Sequence, residues 1–203
     1  MIDVVDRLSD ENEEASSVTY ELGVCCLNGI GVKEDRKKAF QCFHRVSEQG
    51  NGRAMCSIGK CYESGIGIEP DEKKAIESYE RATEMGDSEA MCILGEYYLN
   101  GICVGEDKKK AVELFKRASE LGNPRAKSNL DFNRELVEKV EEEKEKKERF
   151  ERMKKAAEDG DVESIFNLGK CYLKGEGVEM DKKKAIELRR RILSQICNLS
   201  QTK

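Results

Sequence analysis

Apolar residues along this chain recur at helical spacing, and the pattern itself recurs at a longer interval. Ala54, Met55, Ile58, Cys61 and Tyr62 fall three and four apart, the spacing of an amphipathic helix. Gly65-Ile66-Gly67 interrupts that run, and a second helical pattern continues from Asp71 through Ala75 and Tyr79. The same order returns along the chain. Gly23, Gly59 and Gly95 stand 36 residues apart. Asp71 and Ala75 have counterparts at Asp35 and Ala39, Asp107 and Ala111, and Asp181 and Ala185. A fixed period of this length predicts a stack of helical hairpins. The predicted hairpins pair residues 14–28 with 35–49, 52–64 with 71–85, 87–100 with 107–121, and 162–174 with 181–197.

Each recurring position has a physical task. A mid-helix glycine costs about 1 kcal/mol against alanine. Gly23, Gly59, Gly95 and Gly169 are therefore expected to permit close helix approach. Ala39, Ala75, Ala111 and Ala185 are small for the same reason, and Phe43, Tyr79 and Phe115 fill the gap between hairpins. Asp35, Asp71, Asp107 and Asp181 are expected to cap the second helices. Gly50, Gly86, Gly122 and Gly160 are expected to end the helices before them. The Gly-x-Gly loops allow positive φ. In the third loop Cys103 replaces the second glycine, and Gly105 is expected to absorb the turn. In the last hairpin Arg189 stands at the aromatic position, which suits a polar end to the array.

Between Asp131 and Arg149 the pattern fails. Asp131 replaces the glycine, Arg134 replaces the tyrosine, and residues 138–155 are dense in Glu, Lys and Arg. No Gly, Pro or Asn interrupts Arg134–Glu158. A single helix from Pro124 to Asp159 is predicted, solvated between Val140 and Phe150. Pairs such as Glu142–Lys146 and Glu143–Lys147 would support it at i, i+4. The alternative is a tight hairpin turning near Glu143. The predicted organisation is a cap or tail over 1–13, three repeats over 14–122, a degenerate repeat forming a long charged helix over 123–159, and a final repeat and cap over 160–203.

The segments Leu22-Gly23 with Gly29-Ile30-Gly31-Val32, Ile58-Gly59 with Tyr62, Leu94-Gly95 with Tyr98, and Leu168-Gly169 with Tyr172 resemble the Sel-one-like repeat. That family is a helical-hairpin relative of the tetratricopeptide repeat. The resemblance implies an all-α, right-handed α-α solenoid that binds proteins and does no chemistry. A secreted, cysteine-rich bacterial branch of the family staples successive helices with a disulfide. Its pair would align with Thr83 and Met91, so that branch is not indicated.

Charge and composition narrow the function further. A net charge of −5 and a pI near 5.3 argue against nucleic acid as a partner. No apolar run is long enough to insert in a membrane, and the acidic N-terminus lacks the apolar segment of a secretory signal. A cytoplasmic protein is expected. The nine cysteines are odd in number and several occupy equivalent repeat positions, as Cys56 and Cys92 do. They read as free packing residues. With His44 the one histidine and no C-x-x-C, neither a zinc site nor any cofactor is expected. A Cys–His catalytic pair lacks any local signature. The Gly-x-Gly loops lack the strand and third glycine of a phosphate fingerprint.

The best functional candidate is therefore the face lined by the first helix of each hairpin. Tetratricopeptide-like geometry points Tyr20, Val24 and Leu27 inward, then Cys56, Lys60 and Glu63, then Cys92, Glu96 and Leu99, and finally Phe166, Lys170 and Leu173. Such a mix of apolar and charged side chains suits a peptide or helix of a partner protein laid in a groove. The leading expectation is a non-catalytic intracellular adaptor or scaffold. The alternative is a regulatory subunit or bacterial effector that self-associates, as a homodimer for example, through the charged helix 134–158. An enzyme ranks third.

Overall fold

A computed structural model describes residues 13–201 of the chain, with side chains over 14–194. It is an all-α stack of helical hairpins, with no strand among the described residues. The helices are α1 (Glu13–Asn28), α2 (Arg36–Glu48), α3 (Gly52–Ser64), α4 (Glu72–Glu84), α5 (Ser88–Asn100), α6 (Lys108–Glu120), α7 (Pro124–Phe132), α8 (Arg134–Glu158), α9 (Val162–Lys174) and α10 (Lys182–Gln201). They form two compact units that divide between Arg134 and Glu135. The first holds three hairpins and α7; the second holds α8 and the hairpin α9/α10. No described helix is long and apolar enough to cross a membrane. The predicted cap with Val4, Val5 and Leu8 lies outside the described residues.

Side-chain caps set where all but α1 and α8 of the described helices begin. Asp35, Asp71, Asp107 and Asp181 accept the backbone N–H of Lys38, Lys74, Lys110 and Lys184 at 2.9–3.0 Å. The first helices are capped in the same way by Asn51, Asp87, Asn123 and Asp161. The sequence reading passed over this second set, although each follows its C′ glycine directly. Those glycines, Gly50, Gly86, Gly122 and Gly160, all take positive φ. Serine and backbone hydrogen bonds hold the Asp161 carboxyl below its usual range.

Within each hairpin of the first unit an aromatic ring rests on the glycine of the facing helix. A Cβ added at Gly59 would lie 2.5 Å from the Tyr79 ring; at Gly95 it would lie 2.6 Å from Phe115, and at Gly23 2.8 Å from Phe43. Around these contacts Val46, Ala54 and Ile58 form one buried cluster, and Met91, Leu94 and Leu114 belong to the next. Burying each large side chain contributes about 1.5–3 kcal/mol. The last hairpin departs from expectation. With Arg189 at the aromatic position, the nearest atom to a Cβ at Gly169 is the Ala185 carbonyl oxygen at 3.8 Å. Gly169 is not required for close approach.

Two further expectations are corrected. Gly105 does not absorb the third turn, because Cys103 itself takes φ 57. Its thiol donates to Glu72 Oε2 at 3.2 Å. Nor does one helix run from Pro124 to Asp159. Asn133 ends α7 with φ −101 and ψ 30, and its side-chain amide donates to the Asn129 carbonyl at 2.8 Å. Asparagine competes locally with helical hydrogen bonding and so marks the break. From Arg134 onward α8 is continuous for 25 residues, with no turn near Glu143. Its residues 141–149 are exposed, and Lys146 pairs with Glu142 at 3.6 Å. Its C-terminal half takes the place of a second helix: Phe150 and Ala157 bury against Ile165 and Leu168 of α9.

Two outcomes are expected. Gly59→Ala should cost about 1–3 kcal/mol by overpacking against Tyr79. Gly169→Ala should be neutral or gain up to about 1 kcal/mol from helix propensity. Urea unfolding midpoints of the two variants compare them directly. Spin labels at Glu138 and Arg152, fourteen residues apart on α8, should lie about 21 Å apart at 1.5 Å rise per residue. A separation near 10 Å, the distance between packed helices, would contradict the continuous helix.

Candidate protein-interaction surface

The first helices of successive hairpins touch through polar side chains. Between α1 and α3 the Tyr20 hydroxyl and Ser57 Oγ are 3.1 Å apart, and the Arg53 guanidinium lies 4.5 Å over the Tyr20 ring. Arg53 also reaches Glu21 at 3.8 Å. Between α3 and α5, Lys60 Nζ lies 3.5 Å from Glu89. Between α5 and α7, Arg125 reaches Glu89 at 3.4 Å and also pairs with Glu96. Asn129 donates to the same Glu96 at 2.9 Å. Burial works against the Arg125 charge, but the hydrogen bond and attraction of Glu96 outweigh it and raise its pKa.

This ladder has a signal in the sequence. Arg53, Glu89 and Arg125 occupy one repeat position, and their sign alternates. Each therefore faces an opposite charge or a shared partner one hairpin away. Exposed pairs of this kind contribute little stability, about 0–1 kcal/mol each. They do neutralise the face.

The expected site residues separate into groups. Tyr20 is buried, while Val24, Leu27 and Leu99 are half-buried. Cys56 and Cys92 belong to the core. Lys60 and Glu96 are engaged in the ladder. Glu63 is exposed, yet its carboxylate accepts the Tyr79 and Tyr97 hydroxyls at 2.6 Å each. In the second unit Phe166, Lys170 and Leu173 are all exposed along α9. The Lys170 ammonium sits 4.3 Å over the Phe166 ring. Phe132, the last residue of α7, occupies the repeat position of Lys60 and Glu96 and is 90% exposed. Asp131 at the glycine position hides this register in the sequence.

Cys25, Cys26, Cys56, Cys61, Cys92, Cys103 and Cys171 are free thiols. Burial raises the pKa of Cys61 to about 11 and, with the Glu96 charge beside it, that of Cys92 to about 11. Burial pushes Cys56 up as well, with help from Asp87. Raised thiol pKa values oppose nucleophilic activation, which needs the thiolate. Among the described residues no His, Cys, Asp and Glu cluster is arranged to hold a metal ion.

The shifted thiols give a pH prediction. A raised folded-state pKa favours the protonated thiol, so the stability it contributes is complete below the ordinary thiol pKa of about 8.5. It is lost as pH rises toward about 11. The urea midpoint should fall across that window, and fall less steeply in a Cys61→Ala, Cys92→Ala variant.

The family model of the Sel1 repeat matches residues 16–51, 52–87, 88–123 and 162–190. The span it leaves out between its last two matches covers α7 and α8. No match is found among curated proteins. The solved structure of a Sel1 repeat protein from Oxalobacter formigenes is 24% identical, with a TM-score of 0.57 over 91% of this chain and 74% of that one. A protective antigen of uropathogenic Escherichia coli strains, displaying an SLR fold, is also 24% identical, with a TM-score of 0.56 over 90% of this chain. This chain matches 39% of that antigen's length. Both likenesses establish the fold alone.

Proposed function

The chain belongs to the Sel1 repeat family, and we propose that it is a non-catalytic scaffold holding a peptide or helix of a partner protein against the face made by its first helices. Sel1 repeats are generally protein-interaction modules. The observation that carries the finer reading is the stripe Phe166, Lys170 and Leu173 on α9. These residues are spaced i, i+4 and i+7 and all are exposed. That is the spacing with which one helix grips another segment. The aromatic ring and the leucine offer apolar burial, and Lys170 offers a charge for an acidic residue of the partner.

The first-helix face of the first unit is differently equipped. Lys60, Glu63 and Glu96 already have intramolecular partners, so a ligand would have to displace them. Val24, Leu27 and Leu99 remain as a half-buried apolar floor, with Tyr20 beneath it. The proposed setting is the cytoplasm, where free thiols such as Cys26 and Cys171 stay reduced. Self-association through α8 has weaker support, because its charges pair along their own helix, as Lys139 does with Glu135 at 3.0 Å.

Affinity capture on three immobilised proteins tests the surface. Phe166→Ala, Leu173→Ala should lose at least ten-fold of the partner retained by the wild type, with unchanged helicity. Leu121→Ala, on an exposed apolar residue at the end of α6, should retain it. Loss with Leu121→Ala and not with the α9 variant would show that the first-helix face is not the binding surface.

A further inference from the structure

Every second helix that is followed by a hairpin does the same job in this fold. It covers an apolar stripe on the next first helix. On α3 that stripe is Ala54, Ile58 and Cys61, all buried in one cluster with Phe43 and Val46 of α2. On α9 it includes Leu168 and Cys171, buried with Phe150 and Ala157 of α8. The equivalent positions on α1 are Val18, Leu22 and Cys25. Val18 is 51% exposed, and Leu22 and Cys25 are only half-buried.

The loop beside that stripe repeats the observation. A Cβ at Gly67 would lie 2.1 Å from the Arg36 carbonyl oxygen, and one at Gly177 would lie 2.3 Å from that of Lys146. In both places the backbone of the covering helix presses on the loop, from the first residue of α2 and from the middle of α8. Gly31 is the equivalent glycine in the first loop, and nothing lies within 4 Å of its Cβ position. The turn alone does not demand glycine there, since Cys103 holds the same backbone conformation with a side chain. At Gly67 and Gly177 the close approach of another backbone does.

The opposite face is offered by α10. Ile186 and Leu193 stand at the positions of Phe150 and Ala157, both buried on α8, yet they are 52% and 56% exposed. The two faces are also opposite in charge. α1 carries Glu13, Glu14 and Glu21 and no basic residue, whereas α10 carries three lysines and three arginines against Glu187 alone.

We infer that copies of this chain associate head to tail, with α10 of one molecule covering the Val18, Leu22 and Cys25 stripe of the next as a second helix covers its neighbour within the chain. Apolar burial supplies the attraction, and the Glu-rich and Lys/Arg-rich helices select the orientation. Residues 1–12 are a poorer occupant of the stripe: their four acids, Asp3, Asp6, Asp10 and Glu11, outnumber Arg7 and would bring acid against the acidic α1. The contact joins two different surfaces, so it is heterologous and each docked copy leaves another free end.

Light scattering on the full chain tests this. Mass should rise with protein concentration from the 23.0 kDa monomer to at least twice that value. Val18→Arg blocks the head, and Ile186→Glu, Leu193→Glu blocks the tail. Each variant alone should remain monomeric with wild-type circular dichroism, and an equimolar mixture should recover complexes containing both, because each keeps one intact end. Monomeric wild type at every concentration would overturn the inference, and would fit a stripe covered from within the chain. So would association of either variant alone, which indicates a symmetric contact elsewhere. A misfolded Val18→Arg can be replaced by Val18→Ser, which should weaken wild-type association at least ten-fold.

Discussion

The contact between an aromatic ring and a mid-helix glycine governs this fold. Tyr79 on Gly59, Phe115 on Gly95 and Phe43 on Gly23 bring two helices closer than any side chain at those glycines would allow. The helix gives up about 1 kcal/mol of propensity at each glycine. The buried ring returns more than that, since an aromatic side chain removes a large apolar surface from water. Once the hairpin is closed, its capping aspartates and C′ glycines have fixed positions, and the next hairpin can stack only in one register. Where the ring is missing, at Arg189, the glycine is left with ordinary spacing and the hairpin depends on Leu188 and Ile192 instead.

That geometry also arranges the surface. Stacking in register places equivalent residues of neighbouring first helices side by side, so a repeat position becomes a row. Alternating Arg53, Glu89 and Arg125 along such a row turns a line of charges into a neutralised ladder. On α9, in the second unit, Phe166, Lys170 and Leu173 are exposed. Equivalent positions need not share an environment: Val18 and Ile186 are exposed, whereas Ala54 and Phe150, at the same repeat positions, are buried.

The degenerate region follows from the same accounting. Asp131 stands where a closed hairpin would have the glycine on which an aromatic ring rests. Asn133 then ends that helix, and α8 begins afresh. The part of α8 carrying Phe150, Met153 and Ala157 packs as a second helix, while residues 141–149 stay solvated, with Lys146 paired to Glu142 along the helix.

Much of this was legible in the sequence, because a repeat makes each physical requirement visible several times over. The hairpins, the capping aspartates, the C′ glycines and the solvated middle of α8 follow from local preferences: helical periodicity, side-chain hydrogen bonding to the backbone, and the freedom of glycine at positive φ. Tertiary structure decided what depends on a neighbour. It alone showed that Lys60, Glu63 and Glu96 are engaged by Glu89, Tyr79, Tyr97 and Arg125, because those partners lie sixteen or more residues away. It also decided that Cys103 could take the turn and that Gly169 had no ring to accommodate. A sequence pattern specifies which residues can meet; the distance at which helices pack determines which of them are already satisfied and which remain to bind something else.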